Sequence, residues 1–466
     1  MNNNLLKTAT ALSLVVLLSG CGLSQKERFE AFSAAYQQAD FCTASNKILE
    51  EENVCEASVD DLDVEDYDLD AKLNAGTALF LSKKPELSNA LFEQSALEIK
   101  EGLESNGLAR GAVEVVANAS LMDYNPMIMD GIYLHTYTTL NALALANKDE
   151  AKIQIQRAHE SQVKAVEAYK KEIEEQKEAA KKESELDKLQ EKAIGKNVTT
   201  ALESYKGVSQ FKGYADFVNP YMNYLSGLYY LTNAQDPASK ENAVHEFKKV
   251  YGMLGKNSFV KDDLKTAESL ADNKISSIDP TAWVIFENGM IANLDEFRID
   301  LPVFIATDKV KTASLALPIP KEREEAYPNI SISNGSKTVK TEVLTNMDNI
   351  FMGEFNKKLP SILFKAITKL TVQTIAQVAA QNKFGDLGGI AAAGYSVLTA
   401  GADTRSWYSL PKNIQLAKIK KSSDGQLKLT VGGQTLSVEV PAEGHSLIHV
   451  RVPYKGTVPT INVFGL

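Results

Sequence analysis

Leu73-Asn74-Ala75-Gly76-Thr77-Ala78-Leu79-Phe80, a turn at Lys84-Pro85, and Ser88-Asn89-Ala90-Leu91-Phe92-Glu93-Gln94-Ser95 together spell two helices joined by a short connection. Apolar residues recur at three- and four-residue intervals on both sides of the turn. Gly76 in the first helix and Ser88 and Ser95 in the second are small, so the two backbones can approach closely. Phe92 then fills the space that the small residues leave. Such a pair cannot bury its apolar face alone and calls for neighbours of its own kind.

Two such neighbours are present. In Asp130 to Glu160, Ala151, Ile155 and Ala158 repeat the small-large-small offsets of Ser88, Phe92 and Ser95. In Asn219 to Leu254, Gly227 and Tyr230 fall in the first helix, and Ala243, Phe247 and Val250 in the second. The spacing from Gly76 through Leu79, Ser88 and Phe92 to Ser95 resembles a tetratricopeptide repeat, which implies a helical array over residues 69–279. The units are unevenly spaced, and the turn at Gln235-Asp236-Pro237 is longer than the repeat expects. A generic helical bundle has the same periodicity without a concave surface. The largest insertion, 162–196, mixes charges of both signs (Lys170-Lys171-Glu172, Lys181-Lys182-Glu183) along a sparse apolar line. It reads as a solvated helix or a projecting arm.

The pattern changes after Asp279-Pro280. Trp283 to Phe286, Arg298 to Ala306, Ser314 to Pro320 and Asn329 to Ser333 read as strands. A helical segment at 345–402 follows, starting with Thr345 to Phe355. Strands return from Lys412, with hairpin signals at Ser423-Asp424-Gly425 and Gly432-Gly433 and a final strand at Ser446 to Val452. Residues 280–466 are thus expected to form a smaller α+β domain. The fold class expected overall is mostly α, a tetratricopeptide-like helical array followed by that domain.

The N-terminus carries an address. Residues 1–20 read as a lipoprotein signal peptide: Lys7 is the only charge, Ala11 to Leu18 is apolar, and Leu18-Ser19-Gly20-Cys21 resembles the lipobox of bacterial lipoproteins. The resemblance implies cleavage between Gly20 and Cys21 and lipidation of Cys21. Residues 21–68 would then be a lipidated tether and an N-terminal helix with a Cys42–Cys55 loop. Cys42 and Cys55 form an even pair in an oxidising compartment, worth roughly 3 kcal/mol as a disulfide; two free thiols are the alternative. The acidic run Asp60 to Asp68 lacks the glycine and terminal glutamate of a calcium loop and reads as a solvated loop.

Composition narrows the function classes. The chain is 44% hydrophobic and 24% charged, with a formal net charge of -10. That balance argues against a nucleic-acid surface, which concentrates Lys and Arg. No Walker loop, G-x-S-x-G elbow or H-E-x-x-H pair occurs. Ser161–Lys164, Ser209–Lys212 and Ser258–Lys261 match S-x-x-K by chance, without the partner elements of an acyl-transfer site. His445 and His449 read as a surface pair rather than metal ligands. Gly385, Gly388 and Gly389 read as a turn between helices. No catalytic residue, metal or cofactor is expected, and no small-molecule ligand is identified.

Three elements widen the resemblance: Asn219-Pro220-Tyr221 running into Tyr224 to Leu228, Phe286-Glu287-Asn288-Gly289 leading to Phe297 to Pro302, and Ala402-Asp403-Thr404-Arg405-Ser406-Trp407-Tyr408-Ser409-Leu410-Pro411. Together they resemble a family of tetratricopeptide-like bacterial envelope lipoproteins. The resemblance implies export, lipidation and a helical-repeat body, and it transfers no catalytic residue. Arg405 and Trp407 read as domain-junction packing, with a partner-binding hot spot as the alternative. The expected function is a non-enzymatic scaffold or adaptor, anchored by lipid to the periplasmic face of the outer membrane and binding envelope proteins through the array's groove. A regulator of a peptidoglycan synthase or envelope protease, and a cell-wall-acting enzyme, are the rivals.

Overall fold

The computed structural model describes residues 24–104, 124–182, 205, 219–233, 236–303, 311–359 and 401–466, with isolated positions between 362 and 383. The lipobox, Ser209–Lys212, the glycines at 385–389 and most of the 390–402 segment lie outside the described residues. No described helix is long and apolar enough to cross a membrane.

The first pair of helices, α1 (Gln25–Gln37) and α2 (Phe41–Leu49), opens with a capping box. Ser24 takes the Glu27 N–H while the Glu27 carboxylate returns to the Ser24 N–H. Cys42 and Cys55 are joined in a disulfide that ties α2 to the turn Val54–Glu56, with a Cα–Cα distance of 5.7 Å.

Three helix pairs follow, α3 (Leu69–Leu81) with α4 (Pro85–Glu104), α5 (Ile128–Ala144) with α6 (Lys148–Lys182), and α7 (Pro220–Thr232) with α8 (Pro237–Leu254). A ninth helix, α9 (Ser258–Ala271), packs on α8. The small-large logic of the sequence is literal in two pairs. A Cβ on Gly76 would lie 2.7 Å from the Phe92 ring, and one on Gly227 would lie 2.8 Å from the Phe247 ring. In the middle pair the spacing of Gly76 and Phe92 falls on Thr139 and Ile155, both buried, so a branched residue stands at the glycine's place and an aliphatic at the ring's. Leu79, Ala151, Ile155, Ala158 and Ala243 are buried, and Tyr230 lies half-buried, edge-on to Tyr229.

Strands carry more of the chain than "mostly α" allows, with eleven among the described residues. Helices and sheets contribute jointly, because the strands after Asp279 build two sheets and a ribbon. Five strands lie in the order β11 (Thr460–Gly465), β10 (Ser446–Val452), β1 (Thr281–Asn288), β7 (Asn413–Lys420) and β6 (Glu342–Asn346). Within this sheet β1 and β10 run parallel, and the other pairs are antiparallel. Four more form an antiparallel sheet, β5 (Thr338–Lys340), β4 (Ser331–Ser333), β8 (Gln426–Val431) and β9 (Gln434–Glu439). A two-stranded ribbon, β2 (Asn293–Val303) with β3 (Lys311–Lys321), stands apart from both.

One of the two expected hairpin turns is present and the other is not. Gly432-Gly433 closes the β8–β9 hairpin with both glycines at positive φ, as the turn chemistry requires. Ser423-Asp424-Gly425 instead carries the chain from β7 in one sheet to β8 in the other. Ser446 to Val452 is not the last strand, since β11 follows it, and the helix expected from Thr345 starts at residue 347, after β6 (α10, 347–359).

The period-2 alternation of the five-stranded sheet sorts its faces. Ala282, Val284, Phe286, Ala417, Ile419, Ile448 and Val450 meet Ile332, Leu427, Leu429 and Val438 of the smaller sheet in one apolar core. Trp283, Ile285, Ile414, Leu416 and Leu447 point the other way and join a core shared with Phe32, Tyr36, Phe80, Phe92 and Tyr137. The layers therefore run helices, sheet, sheet. The first helix of each pair is caught between its partner and the sheet layer, and α3 is buried along its whole length.

Candidate functional site

The groove expected along the array is filled by the chain itself. Residues 405–411, with a turn at 408–410, lie buried against α1, α3 and α5. Asn74 on α3 reads the backbone of this strap in both directions. Its Nδ2 donates to the Ser406 carbonyl at 3.1 Å, and its Oδ1 accepts from the Ser409 N–H at 2.9 Å. Tyr36 donates its hydroxyl to the Ser409 carbonyl at 2.8 Å. The Trp407 indole N–H donates to Thr77 Oγ1 at 2.9 Å, and its ring sits 5.6 Å from Phe92 and 5.8 Å from Tyr137. Phe92 thus serves the Gly76 contact and the strap at once.

Arg405 and Trp407 are 7% and 2% exposed. Arg405 grips Asp403 through two hydrogen bonds of 2.9 Å and lies over the Tyr124 ring. Both residues are domain-junction groups, and neither has surface to offer a partner.

Behind the strap lies a sealed charged centre. Glu287 on β1, His449 and Arg451 on β10 are fully buried. Tyr137 donates to Glu287 Oε2 at 3.0 Å, and Arg451 Nε lies 4.0 Å from the same oxygen. Arg451 also donates to the carbonyls of Glu287, Gly289 and Ser409, so its guanidinium fastens the strap to the sheet. His449 Nε2 stands 3.2 Å from Glu287 Oε1, out of hydrogen-bond alignment, and its ring meets Phe80 edge-on. Burial pushes the Glu287 carboxyl up, but His449, Arg451 and the Tyr137 hydroxyl outweigh it and hold the pKa below its ordinary value. The surface-pair reading of the histidines is corrected here: His449 is interior, and its strand alternation points it at the helices. No group of three or more His, Cys, Asp or Glu among the described residues is arranged to hold a metal.

Two further buried carboxylates clamp the helices. Asp263 on α9 takes the Tyr224 hydroxyl, the Trp283 indole N–H at 3.2 Å and Lys418 Nζ at 2.6 Å. Glu354 on α10 takes the Ile128 and Met129 N–H groups at the start of α5, where a carboxylate complements the helix dipole. Beside it, Asp130 accepts from Tyr124 and the Met127 N–H, and burial pushes its pKa up to about 7. Ser258 is engaged by Glu342 through both its N–H and its hydroxyl, which fastens the start of α9 to β6.

Asn74, Glu287 and Arg451 were not singled out from sequence. The signal available was polar residues at core-facing positions of otherwise apolar elements, as in Trp283-Val284-Ile285-Phe286-Glu287. Comparison with family models, curated proteins and solved structures finds no match to this chain.

Proposed function

We propose that this protein is a lipid-anchored scaffold or adaptor of the bacterial envelope, held at the periplasmic face of the outer membrane through Cys21, and that it meets its protein partners on the outer helices of the array. The observation that carries this reading is the closure of the inner face. Strap and sheet occupy it, while α4, α6 and α8 each keep a solvent-facing side. Leu97 on α4 and Val163 on α6 are 58% and 60% exposed. α6 has 35 residues against 17 in α5, so it runs beyond its partner by about 27 Å. Only three peptide steps separate Cys21 from Ser24, where the α1 cap begins, so a lipid on Cys21 would hold the body within a chain reach of about 10 Å.

Photo-crosslinking in cells from Leu97 and Val163, with and without Cys21→Ser, tests the reading. Discrete adducts are expected in the membrane fraction, with loss of both adducts and membrane association in the Cys21→Ser variant. A Cys21→Ser protein that stays in the membrane pellet rules out the anchor, and adducts unchanged in the soluble variant rule out a membrane-restricted scaffold.

A further inference from the structure

The arginines withdrawn from solvent are a uniform set with one exception. Arg28 pairs with Asp68 at 2.8 Å, Arg405 with Asp403 at 2.9 Å, and Arg451 with Glu287 at 4.0 Å. Arg323, half-buried just after β3, has no carboxylate partner among the described residues. Its Nε approaches Asn293 Oδ1 at 3.4 Å, one terminal nitrogen lies 3.6 Å from the Met290 sulfur, and its guanidinium carbon stands 5.9 Å from the Tyr408 ring centre. Burial pulls its pKa below the ordinary arginine value, with Tyr408 and Asp348 acting in the opposite sense. Asp348 is already committed to Lys412 and the Ala292 N–H. A desolvated cation compensated this weakly is costly unless an anion completes it.

Space for that anion lies beside it. A cleft of about 320 Å³ opens where the end of α1, the β1–β2 connection, the segment after β3 and the segment after β10 converge. Arg323 and Asn293 line it with Gln37 and Lys321, and Tyr454, 56% exposed, stands on its rim. The volume falls at the lower end of small-ligand sites. Two cations (Lys321, Arg323) and two carboxylates (Glu322, Glu324) line the cleft, a net charge of zero that disfavours a multiply charged anion. Glu322 has Lys412 at 3.6 Å, whereas Glu324 pairs with no cation among the described residues. We propose that this cleft binds a small zwitterion, an amino acid or short peptide, with its carboxylate on the Arg323 guanidinium and its ammonium group towards Glu324.

Calorimetric titration of the full chain with L-alanyl-L-alanine, its C-terminal amide, its N-acetyl form and inorganic phosphate reads this out. The free dipeptide is expected to bind saturably, with about tenfold or more weaker binding when either end is blocked. Arg323→Gln should abolish the dipeptide heat, and Glu324→Gln, at an exposed position that leaves the fold intact, should remove the preference for a free amine. Saturable phosphate binding without dipeptide binding, no saturable dipeptide heat at all, or equal affinity in both variants would overturn the assignment.

Discussion

The two faces of the five-stranded sheet solve the same packing problem by opposite means. Towards the smaller sheet, Val284, Phe286, Ile448 and Val450 sit in an apolar core, with the buried amides Asn288 and Gln415 at one end of it. Towards the helices, the same strands carry Glu287, His449 and Arg451, all fully buried. Apolar contact is non-directional, so the outer face is held by area and shape. A hydrogen-bonded charge is satisfied in one arrangement only, so the inner face fixes where the strap, α1 and α5 sit on the sheet. Glu287→Gln tests the claim most severely, since it keeps the shape and removes the charge that Arg451 requires. Urea unfolding should show a loss of about 3–5 kcal/mol, the range for breaking a buried pair. A loss within experimental error would mean that the inner face, too, is held by shape alone.

The next effect is on pH. Asp130 titrates at about 7 and Asp70 at about 6 in the folded chain, both raised first of all by burial from an ordinary value of 3.8. A raised carboxyl binds its proton more tightly when folded, so its stabilising contribution is complete below the unfolded value and is lost as pH rises through about 7. Asp130→Asn retains an acceptor for Tyr124 and Met127 but cannot ionise. Relative to the unmodified protein it should gain stability between about pH 5 and about pH 8, by roughly 3 kcal/mol at most. Parallel unfolding free energies for the two proteins across that range would place the carboxyl at its ordinary value and remove this reading of the helix layer.

A smaller loss follows from the array itself. Gly76→Ala puts a methyl group 2.7 Å from the Phe92 ring, which also supports Trp407 of the strap. Displacing the ring should cost about 1–3 kcal/mol, the usual range for overpacking. Thr139→Ala, at the matching sequence position, removes bulk instead of adding it and should not reproduce the clash. Equal thermal shifts for the two would show that the repeat offset does not carry the packing.

These contrasts also mark what could be read before the fold was known. The Gly76/Phe92 and Gly227/Phe247 pairs were legible because a glycine in one helix followed by an aromatic in the next has one economical explanation, close helix contact, even where the turn between them lengthens. The strands after Asp279 were legible from alternation, though not their order, because parallel pairing of Ala282 with Ser446 joins positions far apart in sequence. The covering of the array's inner face by residues 405–411 was not legible, for a definite reason. An array's inner face looks the same in sequence whether a partner or the chain's own 405–411 segment covers it. Trp407 and Arg405 gave the composition of an anchor, but burial, which decides between junction and partner surface, depends on the tertiary path that brings Thr77 to the indole.

The mildest substitution completes the contrast with Glu287→Gln, because both changes nearly conserve volume. Ile448 is fully buried on the outer face and pairs with Val284 across the parallel ladder. Ile448→Leu moves one methyl group within an interface that has no direction to violate, so neighbours can repack around it. The expected cost is under about 1.5 kcal/mol, with an unchanged urea dependence. If it instead equals the cost of Glu287→Gln, the outer face is as specific as the inner one, and the charges then have no special claim on positioning the strap. If it stays small while the inner substitution is severe, the orientation of the helices on the sheet is set by Glu287, Arg451 and the strap carbonyls, with apolar burial supplying stability to both faces alike.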